Sequence, residues 1–190
     1  IFEKTRPGGQ TQNYIVLHDS EDQAFDTGIK AIGEHGGRLI ALENAEKRNF
    51  AGINIDPNRI FSETNEYYPV AQKILGLVEG SGPIISLHNN RHMETLRNYK
   101  NTKLFTAPGE TTNNMVWIAG TAEQPDQNEV NYYISKGVNV AYEYVPPEGN
   151  DHSLSNWAVL HGRKYYNVET TAENNAAQQK YLTTVLDYKG

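Results

Sequence analysis

Three apolar stretches of this chain end in side chains that hold metals or move protons. Tyr14–Leu17 (YIVL) runs into His18, with Glu21 three positions further on. Pro83–Leu87 (PIISL) runs into His88, and Lys164–Val168 (KYYNV) runs into Glu169. Taken singly, each has an ordinary reading. A histidine at a strand end is a hydrogen-bonded loop residue, and Glu169 is a solvated acid. Taken together, two histidines and one glutamate are the set that catalytic zinc accepts, with a fourth position open to water. Zinc lowers the pKa of its water to about 7 and polarises a carbonyl. A second carboxylate must then take the proton and return it to the leaving amine. Glu169 stands late in the chain, at a strand end and outside the ligand set, where such a group is needed. The stretch Ile53–Phe61 (INIDPNRIF) adds Asn58 and Arg59. A guanidinium fork matches a carboxylate bidentately. The alternative for Arg59 is a surface position beside a proline turn.

These residues need elements to bring them together, and the hydrophobic pattern supplies them. Tyr14–Leu17, Arg38–Leu42, Pro83–Leu87, Met115–Ala119, Val138–Val145 and Lys164–Glu169 read as strands. Between them, Asp22–Glu34, Glu66–Glu79, Asp126–Lys136, Ser153–Leu160 and Ala172–Tyr188 carry helical spacing. Phe25, Ile29 and Ile32 share one helix face, as do Val70, Ile74, Leu77 and Val78. Residues 1–12, with Pro7-Gly8-Gly9, read as a loose lead-in, and residues 13–190 as a single catalytic domain. Strands alternating with helices predict an α/β fold in three layers, its sheet covered by helices on both faces. Sites in such sheets form where loops converge at strand ends.

Composition narrows the chemistry. The chain has 190 residues and no cysteine, so thiolate metal sites and disulfides are excluded and histidine and carboxylate must hold any metal. A net charge of −6 without a basic stripe argues against nucleic acid as a partner. No apolar run approaches the roughly 20 residues of a membrane span. The chain opens on Ile1 and not on Met, so either a processed product or a trimmed chain is expected. With its plentiful Asn, Thr and Tyr, that makes a secreted or periplasmic location the expectation, with the cytoplasm as the alternative. A monomer is expected.

The ordered set His18-Asp-Ser-Glu21, Asp56-Pro-Asn58-Arg59, Ser86-Leu87-His88 and Asn167-Val168-Glu169 resembles the zinc carboxypeptidase (funnelin) family over residues 14–170. The resemblance implies a mixed, mostly parallel twisted sheet between helices. It implies one zinc ion on His18, Glu21 and His88, with Glu169 as general base and then acid. Asn58 and Arg59 would bind the terminal carboxylate of a substrate, and Asp56 would hydrogen-bond a ligand histidine. The family's oxyanion-steadying arginine corresponds to Arg48, with Arg38 a poorer match. Its substrate-covering tyrosine corresponds loosely to Tyr144. Asp151 and Ser153 read as caps of the following helix. His35, His92, His152 and His161 have no counterpart and read as surface or loop residues.

The aspartoacylase and succinylglutamate desuccinylase deacylases share the ligand set. Their Asn-Arg-x-Phe and Leu-His-Asn runs are similar to Asn58-Arg59-Ile60-Phe61 and Leu87-His88-Asn89. They usually carry a further C-terminal domain, and this chain stops soon after Glu169. The first expectation is therefore a carboxypeptidase-type hydrolase of short peptides with a free carboxylate, bacterial cell-wall (peptidoglycan stem) peptide included. An N-acyl amino acid deacylase is the alternative. The gap from Glu21 to Asn58 is compressed relative to digestive carboxypeptidases, which predicts reduced specificity loops.

Overall fold

A computed structural model describes residues 1–7, 12–42, 55–90, 101–172 and 174–190. Its elements in chain order are β1 (Phe2–Arg6), β2 (Asn13–Val16), α1 (Asp22–His35), β3 (Gly37–Ala41), a 3₁₀ turn (Pro57–Arg59) and α2 (Tyr68–Leu75). There follow β4 (Ile84–Asn90), β5 (Thr102–Phe105), β6 (Met115–Gly120) and α3 (Gln127–Ser135). The chain closes with β7 (Val140–Tyr144), α4 (Leu154–Leu160), β8 (Tyr165–Thr171) and α5 (Asn175–Asp187).

The strands form one eight-stranded sheet in the order β1-β3-β2-β4-β8-β6-β7-β5. It is parallel at β3/β2, β2/β4, β4/β8 and β6/β7. It is antiparallel at β1/β3, β8/β6 and β7/β5. The fold is α/β, as the element rhythm predicts, and its sheet is mixed and mostly parallel, as the resemblance implies. Strand residues alternate between two apolar layers. On one face Tyr14, Val16, Leu87, Val168 and Val140 pack with α1, α3 and α5 through Ile32, Tyr133 and Tyr181. On the other face Ile15, Leu17, Ile84 and Tyr165 pack with α2 and α4 through Ile74, Leu154 and Ala158. The central strands therefore bury both faces, which explains why YIVL and IISL read as continuous apolar runs. Among the described residues no helix is long and apolar enough to cross a membrane.

The two edges differ from the sequence expectation. Residues 1–12 do not form only a lead-in, because Phe2–Arg6 pair antiparallel with Gly37–Ala41. At the opposite edge Thr102–Phe105 pair antiparallel with Val140–Glu143. Both strands are short and largely exposed, so backbone pairing places them and no apolar pattern announces them. Lys4 and Lys103 suit such edges, since charge there discourages pairing with another chain. Helix α2 is shorter than Glu66–Glu79: Pro69 sits in its first turn and Gly76 ends it. At the start of β3, Gly37 has φ of 101°, and a Cβ there would lie 2.6 Å from the Gln12 carbonyl oxygen. That close approach lets β3 start directly beside residue 12.

Asn139, 3% exposed, ties the segment before β6 to β7. Its carbonyl accepts from the Ala107 N–H (2.9 Å), and its amide donates to the Thr111 and Asn114 carbonyls (2.7 and 2.9 Å). Asn139→Ala leaves a buried N–H and buried carbonyls without partners. The expected loss is about 3 kcal/mol, read from the urea midpoint; a loss under about 0.5 kcal/mol would contradict this bracing role.

Candidate active site

The two residues of the His18–Glu21 pair meet because the chain turns sharply after β2. The Glu21 N–H donates to the His18 carbonyl (3.1 Å), and α1 begins at the next residue. Glu21 then stands at the start of α1, where the helix dipole favours a negative charge. His88 lies on β4, between β2 and β8, directly across from Glu169. The four side chains thus come from the ends of three adjacent parallel strands.

Their donor atoms converge. His18 Nδ1 lies 3.0 Å from Glu21 Oε1 and 3.1 Å from His88 Nδ1. His88 Nδ1 lies 3.0 Å from Glu21 Oε2. All three residues are buried, and their ligand atoms lie within 4.8 Å of one another. The opposite ring nitrogens are occupied. His18 Nε2 meets Asp56 Oδ1 at 2.9 Å, and His88 Nε2 meets Ser86 Oγ at 2.9 Å. Ser86 Oγ also reaches the Ile15 carbonyl (3.4 Å), so the hydroxyl can donate there and accept from the His88 Nε2–H. Each Nε2 then carries the proton, and each Nδ1 presents a lone pair to the common point. That is the tautomer pattern of metal-holding histidines. Two nitrogens at about 2.05 Å from one tetrahedral ion are about 3.3 Å apart, close to the distance between these two.

The backbone around His88 is pinned as well. The Asn89 N–H donates to Glu21 Oε2 (3.2 Å), and the Gln178 amide of α5 donates to the His88 carbonyl (3.1 Å). Gln178 in turn accepts from the Thr27 hydroxyl of α1 (2.9 Å). Phe61, 1% exposed, anchors the end of the segment that carries Asp56, Asn58 and Arg59.

Electrostatically the site calls for a cation. Burial works against a charged imidazole at His18, but the hydrogen bonds it donates to Asp56 and Glu21 outweigh this and raise the ring to about 9. Burial also works against the Glu21 carboxylate, yet the charges and hydrogen bonds of the two histidines hold it down at about 2. Asp56 is likewise held at about 2, where its contact with His18 overcomes burial. A proton or a divalent ion at the shared point meets the same demand. Glu169 behaves differently. Burial pushes its carboxyl up to about 7, and the charge of His88 offsets this only in part. Asn167 Nδ2 donates to Glu169 Oε2 (3.1 Å).

A cavity of about 170 Å³ joins these groups: His18, Glu21, His88, Asp56 and Glu169 line it together with Asn58 and Arg59. Asn58 Oδ1 accepts from the Leu154 N–H (3.3 Å), which turns its amide N–H groups the other way. Arg59 Nη1 pairs with Asp151 Oδ2. Asp151 is therefore the arginine's anchor, while Ser153 caps α4 through the Asn156 N–H. Arg48 lies outside the described residues, as does His92. Arg38 is remote from the cavity, paired with Glu3 and Glu79 at 2.7 and 2.5 Å.

Tyr144 is not among the residues that line the cavity and packs against the apolar layer of α1, α3 and α5. Alternation along β7 turns Tyr142 and Tyr144 to that layer and Glu143 to the cavity. His35, His152 and His161 are also absent from its walls. Glu143, Ser86, Asn167 and Trp117 escape the sequence reading. A signal existed for two of them: Ser86 and Asn167 stand two positions before His88 and Glu169, and in a strand that spacing means the same face.

No protein-family profile matches this chain, and no curated protein matches it in sequence. Solved structures do match in fold. A succinylglutamate desuccinylase from Silicibacter sp. TM1040 aligns with 97% of this chain and 58% of its own, at 14% identity and a TM-score of 0.55. The ectoine utilization protein EutE (DoeB) from Ruegeria pomeroyi aligns with 93% of this chain and 56% of its own, at 14% identity and a TM-score of 0.54. This chain thus spans less than three fifths of the length of either solved chain. At these identities the likeness is one of fold.

Proposed function

We propose that this chain is a zinc-dependent amide hydrolase of the N-acyl amino acid deacylase type. The observation that carries the reading is the convergence of His18 Nδ1, His88 Nδ1 and the Glu21 carboxylate in one cavity with a separate buried acid, Glu169. The donor set suits zinc, with His18, Glu21 and His88 as ligands. Zinc held there would supply a water of lowered pKa and a polarising charge for the substrate carbonyl.

The chain's own residues do the rest. Glu169 takes the proton of the attacking water and passes it to the leaving nitrogen as the amide bond breaks. Asn167 holds one of its oxygens and leaves the other for that traffic. A carboxyl pushed up to about 7 by burial can both accept and return a proton near neutral pH. Asn58 and Arg59 receive a substrate carboxylate, with Asp151 and the Leu154 N–H keeping both side chains in place. Asp56 and Ser86 keep the imidazoles in the ligating tautomer. Arg48 is proposed to steady the oxyanion, on the resemblance alone.

The deacylase form is preferred to the carboxypeptidase form for two reasons. One of the proteins sharing this fold is a succinylglutamate desuccinylase. The Asn-Arg-x-Phe and Leu-His-Asn runs also fit the site, with Phe61 buried in the apolar layer of α2 and α4 and the Asn89 N–H on Glu21, a ligand in this reading. The length of this chain does not weigh against a deacylase, because it covers only part of the solved chains. No described residue favours cell-wall peptide as substrate.

The direct test is Glu169→Gln assayed on N-acyl amino acids and on short peptides. Turnover should fall by about 10²-fold or more while bound zinc stays at wild-type level; turnover like wild type would remove Glu169 from the mechanism. Arg59→Ala should raise KM about tenfold for substrates with a free carboxylate and leave their amidated counterparts unchanged. An equal loss on both would place Arg59 in the scaffold. Asp56→Ala should weaken zinc binding about 10- to 100-fold in a chelator competition. An unchanged affinity would mean that the contact to His18 Nε2 does not tune the ligand.

A further inference from the structure

The mechanism above leaves one buried acid of the cavity unused. Glu143, on β7, is 6% exposed and lines the cavity wall. Its position follows from strand register. Glu169 pairs with Met115, and Val116 pairs with Val140. Glu143 therefore lies two strands across and four residues along from Glu169. At about 4.8 Å per strand and 3.3 Å per residue, the two Cα atoms are roughly 16 Å apart. The cavity runs from the ligand set at one end to Glu143 at the other.

Glu143 is held but not neutralised. Trp117 Nε1 donates to Oε2 (2.9 Å), the Asn156 amide donates to Oε1 (2.8 Å), and the Ser155 hydroxyl donates as well. All these donors are uncharged, and no ion pair joins Glu143 to a described residue. A carboxylate has about four lone-pair sites, so room remains for a guest. Burial pushes this carboxyl above the usual carboxylate range. A cation beside it would relieve that cost. A second acceptor points to the same kind of guest. Asn167 Oδ1, in the wall between the two ends, is buried and has no hydrogen-bond partner among the described residues, while its Nδ2 is committed to Glu169. Two acceptors in want of donors, one of them an acid, call for a group that only donates. Ammonium and guanidinium are such groups.

We propose that the cavity selects an amino acid half whose side chain ends in an amine or guanidine, with Glu143 as its charge partner and Asn167 Oδ1 as an acceptor along the way. This rests on the amide-hydrolase reading and names its substrate class: Nα-acyl derivatives of basic amino acids. The α-carboxylate goes to Asn58 and Arg59, the scissile carbonyl to the ligand set, and the basic side chain to Glu143.

The test uses zinc-loaded protein on Nα-acetyl-lysine and Nα-acetyl-arginine against the uncharged near-isosteres Nα-acetyl-norleucine and Nα-acetyl-citrulline. Binding of free lysine and norleucine is measured alongside by calorimetry. Wild type should favour each basic substrate about tenfold or more in kcat/KM, and Glu143→Gln should collapse that ratio. Equal or better use of the neutral substrates by wild type would overturn the inference and leave the hydrolase reading standing; this comparison needs no variant. A preference that survives in Glu143→Gln would also overturn it. No hydrolysis, but binding of lysine over norleucine that Glu143→Gln abolishes, would sink the hydrolase reading and sustain the role of Glu143. Neither hydrolysis nor such a binding preference would overturn both.

Discussion

The register of three parallel strands, β2, β4 and β8, is the constraint on which the site depends. His88 can face His18 and Glu21 only while β4 keeps its phase against β2, and Glu169 can share the cavity only while β8 keeps its phase against β4. A slip of one residue in β4 would turn His88 into the apolar layer of Tyr14 and Leu87 and bring Leu87 into the cavity. Such a slip would bury an imidazole without partners and wet a leucine. The apolar alternation of Ile85 and Leu87 against Ile84, Ser86 and His88 therefore enforces the chemistry. Gln178, bridging α1, α5 and the His88 carbonyl, locks the same register from outside the sheet.

On this frame the cavity face is unusually acidic. Glu21, Asp56, Glu143 and Glu169 all line it, against Arg59, which Asp151 already engages. Of these, Glu21, Glu143 and Glu169 are buried, and buried acids need positive charge or donors beside them. At the strand ends the demand is met at His18, whose ring two acids hold protonated well above its usual range. A divalent ion answers it better, since it satisfies both Nδ1 lone pairs and Glu21 at once. At the far end Glu143 has only neutral donors among the described residues. One physical imbalance thus underlies both proposals, a metal at one end of the cavity and a cationic side chain at the other.

Much of this was legible in the sequence, and the misses have physical causes. The central strands and the helices α1, α3 and α5 announce themselves because burial of a face or a stripe imposes a period. Strands β1 and β5 do not, since an edge strand is held by backbone hydrogen bonds that leave no side-chain pattern. His18, Glu21, His88, Asp56 and Glu169 stand out because charged groups ending apolar runs are costly without a purpose, and the structure brings all five into one cavity. Distance along the chain from Glu169 singles out Tyr144, but its phase on β7 turns it to the opposite apolar layer. One residue earlier, Glu143 is an acid in an apolar strand, in phase with Ala141 and Val145. That phase is the signal that places it in the cavity.

The central claim is that the two distant histidine motifs form one metal centre. Elemental analysis of natively purified protein, with His88→Ala prepared in parallel, tests it most directly. One zinc per wild-type chain, lost from a variant that still folds, is the result expected. Absence of zinc from the wild type after zinc has been supplied, or full retention of zinc by His88→Ala, would contradict it.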